Sequence, residues 1–477
     1  MNPTSLEHPR IGNIRRLIWL YFWLLLLEGA LRKWALPSLS NPLLIVRDPV
    51  VLLIYILAIR SRVFPRNGWI ASLAVIGFLS FALSFIPLWP YLPPSRIALV
   101  SGYGFRSNFL HLPLIFVIPR VFRPEDVKKF GWYALLILGP LALLMVAQFG
   151  AAPDAFLNRT AGGEGEMMTS ALGKVRTAAT FSFVIGVVAY FAMATAYLLW
   201  AALRRDVYKS WVLLAAGGAL VIGIVVSGSR SVAGACVVVV SSLLVVLVLR
   251  PAAVNRFGQT VVATVIAGFI LVQTPIFKEG FNVLSTRFNE VAEATEKSIG
   301  VGMVERVVGD FGESLFVLTK APFLGYGLGI GTNAGAKFLT GRQMFLLSEG
   351  EWSRIFLESG PLLGLAFVIW RCALVFRVGL LCIRSVRLGN VLPLLLFSAT
   401  FLPLLSGQFG QPTILGFVAL VTGLALAARN EETATDSLAI ARAMPQRQPR
   451  VARRSEYASR LHGPAVRQDD SNGANGH

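Results

Sequence analysis

Charged residues are scarce in this chain. Only 14% of its 477 residues are Asp, Glu, Lys or Arg, whereas 55% are hydrophobic. A soluble domain has about a quarter charged residues, so this composition excludes an ordinary soluble fold. A helix needs roughly 20 apolar residues to cross a hydrocarbon core of ~30 Å, and such stretches recur along the chain. The sequence therefore predicts an all-α, polytopic membrane protein.

Side chains that bind metals or form disulfides are also few. The chain has three cysteines and four histidines. They show no Cys/His spacing typical of a metal site, and no Asp-x-Asp pair is present. The sequence therefore predicts no metal, no cofactor and no disulfide framework, and it places no catalytic histidine in an outer loop. The residues concerned are Cys236, Cys372 and Cys382 in or beside apolar segments, His8, His462 and His477 in the termini, and His111 in a predicted helix.

Twelve membrane spans are predicted from the apolar stretches. The first follows two arginines and has no small-residue cleavage site, so it is predicted to be a retained helix. The predicted spans are 17–36, 42–60, 69–89, 96–119, 131–150, 178–203, 210–228, 231–249, 257–275, 352–377, 390–406 and 410–428.

Lysine and arginine alternate between the two sides of these spans. The short connections 88–95 and 407–410 contain none, and the opposite connections contain many. Because cytoplasmic loops carry the excess of Lys and Arg, both termini are predicted to be cytoplasmic. The inside-facing set is Arg60, Arg62, Arg66, Arg120, Arg123, Lys128, Lys129, Arg204, Arg205, Lys209, Arg250, Arg256, Arg371, Arg377, Arg384 and Arg387.

Four regions are predicted along the chain. A bundle of nine helices spans 1–275, a large extracytoplasmic loop with amphipathic helices spans 276–351, and three further helices span 352–428. A basic, disordered cytoplasmic tail is predicted for 429–477. The formal net charge of +19 is spread over loops and tail. This distribution favours membrane lipids as partners and gives no indication of nucleic acid.

The large loop contains a helical pattern. Val304, Val308, Phe311 and Leu315 recur at helical spacing, with Arg306 on the opposite face. This pattern predicts an amphipathic helix that ends at a proline and is followed by a glycine-rich turn. Long loops between spans are also where function concentrates.

Six arginines are predicted to lie on the outer side of the membrane. A guanidinium matches phosphate oxygens bidentately, so a shared cationic cavity there suits a lipid-linked diphosphate. The alternative for several of them is helix-packing ion pairs, as in Arg47 with Asp48 or Arg32-Lys33 with Glu28. Arginines that each pair with their own acid would count against a shared cavity. The six are Arg47, Arg106, Arg176, Arg230, Arg306 and Arg354.

Carboxylates are the candidate general bases. Glu349 and Glu351 stand at the outer mouth of the predicted tenth span, and Glu358 follows one turn deeper. A base needs hydrogen-bond reach to an acceptor hydroxyl, which one of these carboxylates offers. For Glu351 the favoured interpretation is an acid at a helix N-terminus, stabilised by the macrodipole.

Three motifs together resemble the O-antigen ligase and O-antigen polymerase family. The first is Ser227-Gly-Ser-Arg230-Ser before an apolar helix, similar to the family's Ser-Arg turn. The second is Arg306 in an amphipathic helix that leads to Pro322-Phe-Leu-Gly325-Tyr326-Gly327-Leu-Gly329. The third is Glu358-Ser-Gly360-Pro-Leu-Leu-Gly364, which looks like the family's Glu-x-Gly element after the large loop. With helix number and loop position, the resemblance spans most of the chain.

The resemblance implies a metal-independent membrane glycosyltransferase. Its donor would be an undecaprenyl-diphosphate-linked oligosaccharide and its acceptor a glycan or lipid core. By the resemblance, Arg230 and Arg306 hold the diphosphate. The family's usual His-Asn pair corresponds here to Glu349-Gly350, with Trp352 in place of a common Tyr, so Glu349 is the predicted base. Tyr326 and Trp352 are predicted to stack on sugar faces, with packing as the alternative.

Two questions stay open at this point. The sequence does not decide between a lipopolysaccharide ligase and an exopolysaccharide polymerase. A transporter or flippase for lipid-linked sugars or another anionic substrate is the alternative from another class. It predicts pseudo-symmetric halves, with charges through the midplane on both sides. Charges clustered on the outer side and one dominant loop favour the enzyme.

Overall fold

The computed structural model describes residues 9–162, 169–204, 207–250, 274–295, 311–341 and 346–430. All of them belong to one compact unit, Met1–Glu432. The described residues form helices and no strand; the one β-bridge joins Thr169 and Val175. The predicted ninth span at 257–275, Arg306 and the predicted tail beyond residue 430 lie outside the described residues.

The first half of the chain forms nine principal helices in the described ranges. They are α1 Pro9–Ala30, α2 Arg47–Arg60, α3 Gly68–Leu83, α4 Pro94–Phe105, α5 Leu114–Val121, α6 Pro124–Gly150, α7 Val184–Leu203, α8 Ser210–Val226 and α9 Arg230–Leu249. A proline opens several of them, where its missing N–H leaves no hydrogen bond unmade.

The second half adds six helices in the described ranges. They are α10 Pro275–Thr295, α11 at residues 311–320, α12 Asn333–Thr340, α13 Glu351–Leu388, α14 Leu392–Ser406 and α15 Pro412–Ala428. Helix α13 ends at Gly389, whose φ of +107° is the left-handed conformation that glycine adopts at helix C-termini. Helix α10 occupies part of the segment that the sequence assigns to the large loop.

Six helices of the described part are long and apolar enough to cross a membrane. They cover Pro37–Arg60, Gly68–Leu88, Pro124–Gly150, Val184–Leu203, Arg230–Leu249 and Glu351–Leu388. The apolar helices α8, α14 and α15 are shorter, at 15 to 17 residues. The predicted class, a helical membrane protein, agrees with these helices, and the number of twelve spans stays a prediction.

Apolar side chains on the outside of the bundle fit a lipid environment. Phe78 on α3 is 66% exposed and Val248 on α9 is 80% exposed. Exposed apolar surface of this extent is unusual for a soluble monomer and normal for a membrane-facing helix. Helix α15, by contrast, is buried along almost its whole length and packs between α5, α7 and α14.

The predicted fourth span, 96–119, is not one continuous helix. Helix α4 ends at Phe105, a π-helical turn Arg106–Leu110 follows, and α5 begins only at Leu114. The first span also continues past α1 into a π-helical turn, Leu31–Ala35. Single π-turns inside helices are rare and frequently lie at functional sites.

The predicted tenth span, 352–377, is interrupted near its start. Gly360 has φ +74° and ψ 172°, and it interrupts α13 just before Pro361. A Cβ on Gly364 would lie 3.1 Å from the carbonyl oxygen of Ile355, nine residues earlier. Nine residues of straight helix span about 13 Å, so the two arms of α13 fold against each other. Residues 351–359 therefore run back along the start of the long arm.

The helix ends gather at two sides of the bundle. On one side α1, α6, α8 and α14 finish, and α2, α7, α9 and α15 begin; we call this the charge-cluster end. On the other side Arg15 donates to Val121 O, Asn390 to Ala428 O and Asn430 to Pro119 O. Most of the predicted inside-facing lysines and arginines lie on this second side, the basic-loop end. This arrangement agrees with the predicted alternation of charge.

Candidate functional site

Six ionisable residues gather at the charge-cluster end around α1, α2 and the π-turn after α4. Arg47 Nε donates to Glu28 Oε2 over 3.0 Å, and Arg32 Nη1 lies 3.4 Å from Glu28 Oε1. Arg106 Nε donates to Asp48 Oδ2 over 2.6 Å. We call this set the N-terminal charge cluster; it comprises Glu28, Arg32, Lys33, Arg47, Asp48 and Arg106.

The N-terminal charge cluster carries more positive than negative charge. Its three guanidiniums and the Lys33 amine face two carboxylates. Lys33 is completely buried and donates to the backbone oxygen of Ala179 over 2.5 Å. Within the described ranges it has no carboxylate partner. Buried charges without a counter-charge are expensive, so this surplus calls for an explanation.

Arg47 also has unused hydrogen-bond donors. Its side chain is completely buried, and only Nε is bonded. The amino groups Nη1 and Nη2 have no partner among the residues that the structure describes. Nη1 lies against Gly416 of α15, where a Cβ would meet it, and the guanidinium lies 5.6 Å from the centre of the Tyr21 ring. The donor pair is thus enclosed by α1 and α15.

His111 is a buried, satisfied histidine. Its Nε2 lies 3.0 Å from Asp48 Oδ1, and its Nδ1 lies 2.8 Å from the Tyr21 hydroxyl. Both ring nitrogens are therefore engaged.

A second cluster lies on α13 and is fully bonded. Arg354 donates through Nε and Nη2 to both oxygens of Glu351 at 3.0 Å, and through Nη1 to Glu358 Oε2 over 2.7 Å. Arg371 Nη1 donates to Glu351 Oε1 over 2.9 Å, which closes the network across the folded helix. We call Glu351, Arg354, Glu358 and Arg371 the α13 charge cluster.

Two positions in the α13 charge cluster differ from the sequence predictions. Arg371 was assigned to an inside-facing connection, but it is completely buried and also donates to backbone oxygens at the end of α14. Glu358 was placed one turn deeper than Glu351 along one helix. Because α13 folds back at Gly360, Glu358 lies near the hinge and Glu351 at the far end of the short arm.

The two clusters meet at the π-turn Arg106–Leu110. Arg106 bonds Asp48 on one side, and on the other Asn108 Oδ1 accepts from Arg354 Nη2 over 2.8 Å. Residues two apart on a helix lie on different faces. Arg106 and Asn108 therefore contact one cluster each from the same turn. Asn108 was missed as a site residue. The signal was a Ser-Asn pair next to an arginine within an apolar span, since polar residues there are functional by default.

The glycine-rich segment 325–331 packs directly on this region. Gly331 N donates to Glu358 Oε1 over 2.9 Å, and Gly327 N donates to the backbone oxygen of Glu358. A Cβ on Gly329 would lie 2.2 Å from the backbone oxygen of Val100 on α4. Side chains at these positions would therefore separate the segment from α4 and α13. The second and third motifs of the sequence analysis are neighbours in space.

Glu349 lies beside the α13 charge cluster without being part of it. It borders a narrow recess of about 10 Å³, together with Thr332, Arg354, Gln408 and Gln411. Its backbone oxygen accepts from Gln408 Nε2 over 2.6 Å, while its exposed side chain forms no ion pair within the described residues. The carboxylate is available at the mouth of the recess.

Arg230 and Arg176 lie where segment 169–182 meets the turn before α9. Arg230 Nη1 donates to the backbone oxygen of Arg287 on α10 over 3.0 Å. Thr177, next to Arg176, donates to Val226 O at the end of α8. The same segment reaches the N-terminal charge cluster, because Ser182 accepts from Arg32 and Ala179 from Lys33. Arg230 and Arg176 therefore lie at the same end of the bundle as both clusters.

The two aromatic candidates differ in exposure. Tyr326 is 48% exposed, so its ring is accessible. Trp352 is half-buried, its ring centre lies 4.4 Å from that of Phe311, and its Nε1 donates to Leu405 O. Packing accounts for Trp352, whereas sugar stacking stays a prediction for Tyr326.

Three of the arginines predicted on the outer side are ion-paired within the protein. Arg47, Arg106 and Arg354 each have their own carboxylate partner. For Arg354 every nitrogen is bonded, which counts against the predicted diphosphate contact. For Arg47 the free amino groups keep that role open. In the described part of the chain, no group of three His, Cys, Asp or Glu residues could hold a metal ion.

No protein-family model matches this chain, and no curated protein matches it significantly.

Proposed function

We propose that the protein is a glycosyltransferase that takes an oligosaccharide from an undecaprenyl-diphosphate carrier at the outer face of a bacterial inner membrane. The observation that carries this proposal is the surplus of positive charge in the N-terminal charge cluster. Three guanidiniums and the Lys33 amine face two carboxylates there, and Arg47 keeps two unpartnered amino groups within the described residues. A diphosphate supplies both the missing negative charge and the missing acceptors.

The position of this cluster suits a lipid-linked substrate. It lies at one end of a bundle whose outer surface is apolar, and segment 169–182 connects it to Arg230. A carrier lipid can keep its isoprenoid chain in the membrane while its diphosphate enters this end. By the family resemblance, Arg230 and Arg306 complete the diphosphate site.

Contacts between motif residues add support. The segment that contains Tyr326 bonds to the backbone of Leu357 and Glu358, so two of the three motifs pack together. Glu349 lies next to them, at a recess bordered by two glutamine side chains. Amide and carboxylate groups are common partners of sugar hydroxyls, and the recess provides both.

The mechanism is an in-line displacement at the anomeric carbon. The acceptor hydroxyl oxygen attacks this carbon, and the bond from carbon to the diphosphate oxygen breaks. Glu349 accepts the hydroxyl proton, and the departing diphosphate takes the bonding electron pair. The guanidinium groups stabilise the charge that develops on the leaving group, so no metal is needed for that task.

The test is a transfer reaction with the purified full-length protein in nanodiscs. An undecaprenyl-diphosphate oligosaccharide is added, and both carrier release and glycan length are followed. Wild-type protein is expected to release carrier, and Arg230→Lys is expected to lose transfer while remaining folded. Arg384→Lys, at an exposed arginine of the basic-loop end, serves as the matched control.

The product distinguishes the remaining alternatives. A ladder of lengthening glycans identifies a polymerase, and a single transfer to an added acceptor identifies a ligase. Donor movement between leaflets without carrier release would identify a flippase and overturn the proposal. Unchanged transfer by Arg230→Lys would remove Arg230 from the mechanism.

A further inference from the structure

A groove opens on the outside of the bundle between α3 and the long arm of α13. Its volume is about 570 Å³, within the range of ordinary ligand pockets. Its walls are formed mainly by Trp69 and Ile76 on α3 and by Ile369, Trp370 and Ala373 on α13. The lining is almost entirely apolar, which suits an aliphatic chain.

Two tryptophans hold the walls of the groove together. The rings of Trp69 and Trp370 meet edge to face with their centres 5.9 Å apart. Trp370 Nε1 also donates to the backbone oxygen of Trp69 over 3.1 Å. The indole donor of Trp370 is thus satisfied, and the ring presents an apolar surface to the groove.

The groove has a cationic mouth at one end. Arg66 directly precedes Asn67, which lines the groove at the start of α3. Arg377 lies four residues beyond Ala373 on α13, so both project from the same helix face. Both arginines are exposed, and neither forms an ion pair within the ranges that the structure describes. Because α3 and the long arm of α13 run antiparallel, both arginines lie at the same end of the groove.

We propose that this groove binds an anionic phospholipid. One acyl chain lies along Ile76, Ile369 and Ala373, and the phosphate lies between Arg66 and Arg377. A free phosphate would leave the apolar walls uncovered, and a zwitterionic lipid would gain less from two cations. Basic pockets between membrane helices are known to bind anionic headgroups. This inference needs only a membrane-embedded bundle, and it is independent of the proposed transferase activity.

The test compares lipids that differ only in headgroup. The delipidated full-length protein is titrated with phosphatidylglycerol and phosphatidylethanolamine of the same acyl chains, and bound lipid is measured by native mass spectrometry. Wild type is expected to prefer phosphatidylglycerol. The double variant Arg66→Ala/Arg377→Ala is expected to bind it roughly 20- to 30-fold more weakly, with a smaller loss for phosphatidylethanolamine.

Two further variants separate the groove from general charge attraction. Ala373→Trp fills the groove and is expected to weaken binding of both lipids. Lys209→Ala removes an exposed cation at the start of α8, a helix that does not line the groove, and is expected to change neither. Equal wild-type affinities for the two lipids would overturn the proposal. So would a double variant that still prefers phosphatidylglycerol, or an equal loss in Lys209→Ala. Thermal unfolding of each variant establishes that it is folded.

Discussion

The two buried charge clusters differ in how their charges are balanced. In the α13 charge cluster two guanidiniums oppose two carboxylates, and every nitrogen of Arg354 is bonded. In the N-terminal charge cluster three guanidiniums and the Lys33 amine oppose two carboxylates, and two donors of Arg47 are unused within the described residues. Both clusters are buried, so burial does not distinguish them.

The difference in balance indicates a difference in role. An ion network in which every donor and acceptor is bonded holds helices in place but has no free group to bind a ligand. A network with surplus charge and unused donors is costly by itself and gains when an anion binds. The α13 charge cluster therefore fits a structural role, and the N-terminal charge cluster fits a phosphate site. Four substitutions test this contrast, taken in order of their expected effect on stability.

Arg354→Met is expected to have the largest effect. It removes the ion-pair partner of Glu358 and one of the two partners of Glu351, so buried carboxylates lose their compensation. Breaking a buried pair in this way costs about 3–5 kcal/mol. Denaturation in mixed micelles measures the loss, with Arg384→Met at an exposed site as control. A loss no larger than that of the control would mean that the network does not stabilise the fold.

Gly360→Ala tests the hinge that assembles the α13 charge cluster. The glycine has φ +74°, and a Cβ there would lie 2.2 Å from the backbone oxygen of Phe323. Strain of this kind costs about 1–3 kcal/mol, and relief of the clash would separate the arm from segment 325–331. Gly312→Ala is the matched control, because a Cβ there meets nothing within 4 Å. Equal stability of the two variants would contradict the folded hairpin.

This hinge also illustrates how far the sequence predicts the fold. Ser359-Gly360-Pro361 is a helix-breaking signal, because the residue before a proline avoids the α-helical conformation. The signal predicts an interruption but not its direction. The reversal depends on contacts such as Arg371 with Glu351, which local sequence patterns do not contain. Apolar stretches, by contrast, predict most helices directly, because membrane burial requires them.

The candidate site was predictable in its residue types but not in its pairing. Arg47, Arg106 and Arg354 stand out as charges in apolar surroundings. Their partners come from elsewhere: Glu28 lies 19 residues from Arg47, and Asn108 lies 246 residues from Arg354. Helix packing decides which acid meets which arginine. The charge balance of each cluster therefore follows only from the three-dimensional structure.

Arg47→Met is expected to have a much smaller effect than Arg354→Met. Glu28 keeps Arg32 as its partner at 3.4 Å, and the substitution removes two buried donors that have no partner in the described residues. We expect a loss of at most about 1 kcal/mol in the free energy of unfolding. Micelle denaturation of both variants side by side provides the measurement. A loss as large as that of Arg354→Met would break the contrast between the clusters.

Glu349→Gln is expected to have the smallest effect on stability and a large effect on transfer. The side chain is exposed and has no ion partner within the described ranges, so the free energy of unfolding should change by no more than about 0.5 kcal/mol. A general base contributes about 10²- to 10⁴-fold to rate, and glutamine cannot accept the acceptor's proton. Transfer in nanodiscs should fall by that factor, whereas Glu313→Gln, at an exposed acid on α11, should leave it unchanged. Full transfer by Glu349→Gln would mean that another group takes the proton, and the recess beside the α13 charge cluster would then be structural like the cluster itself.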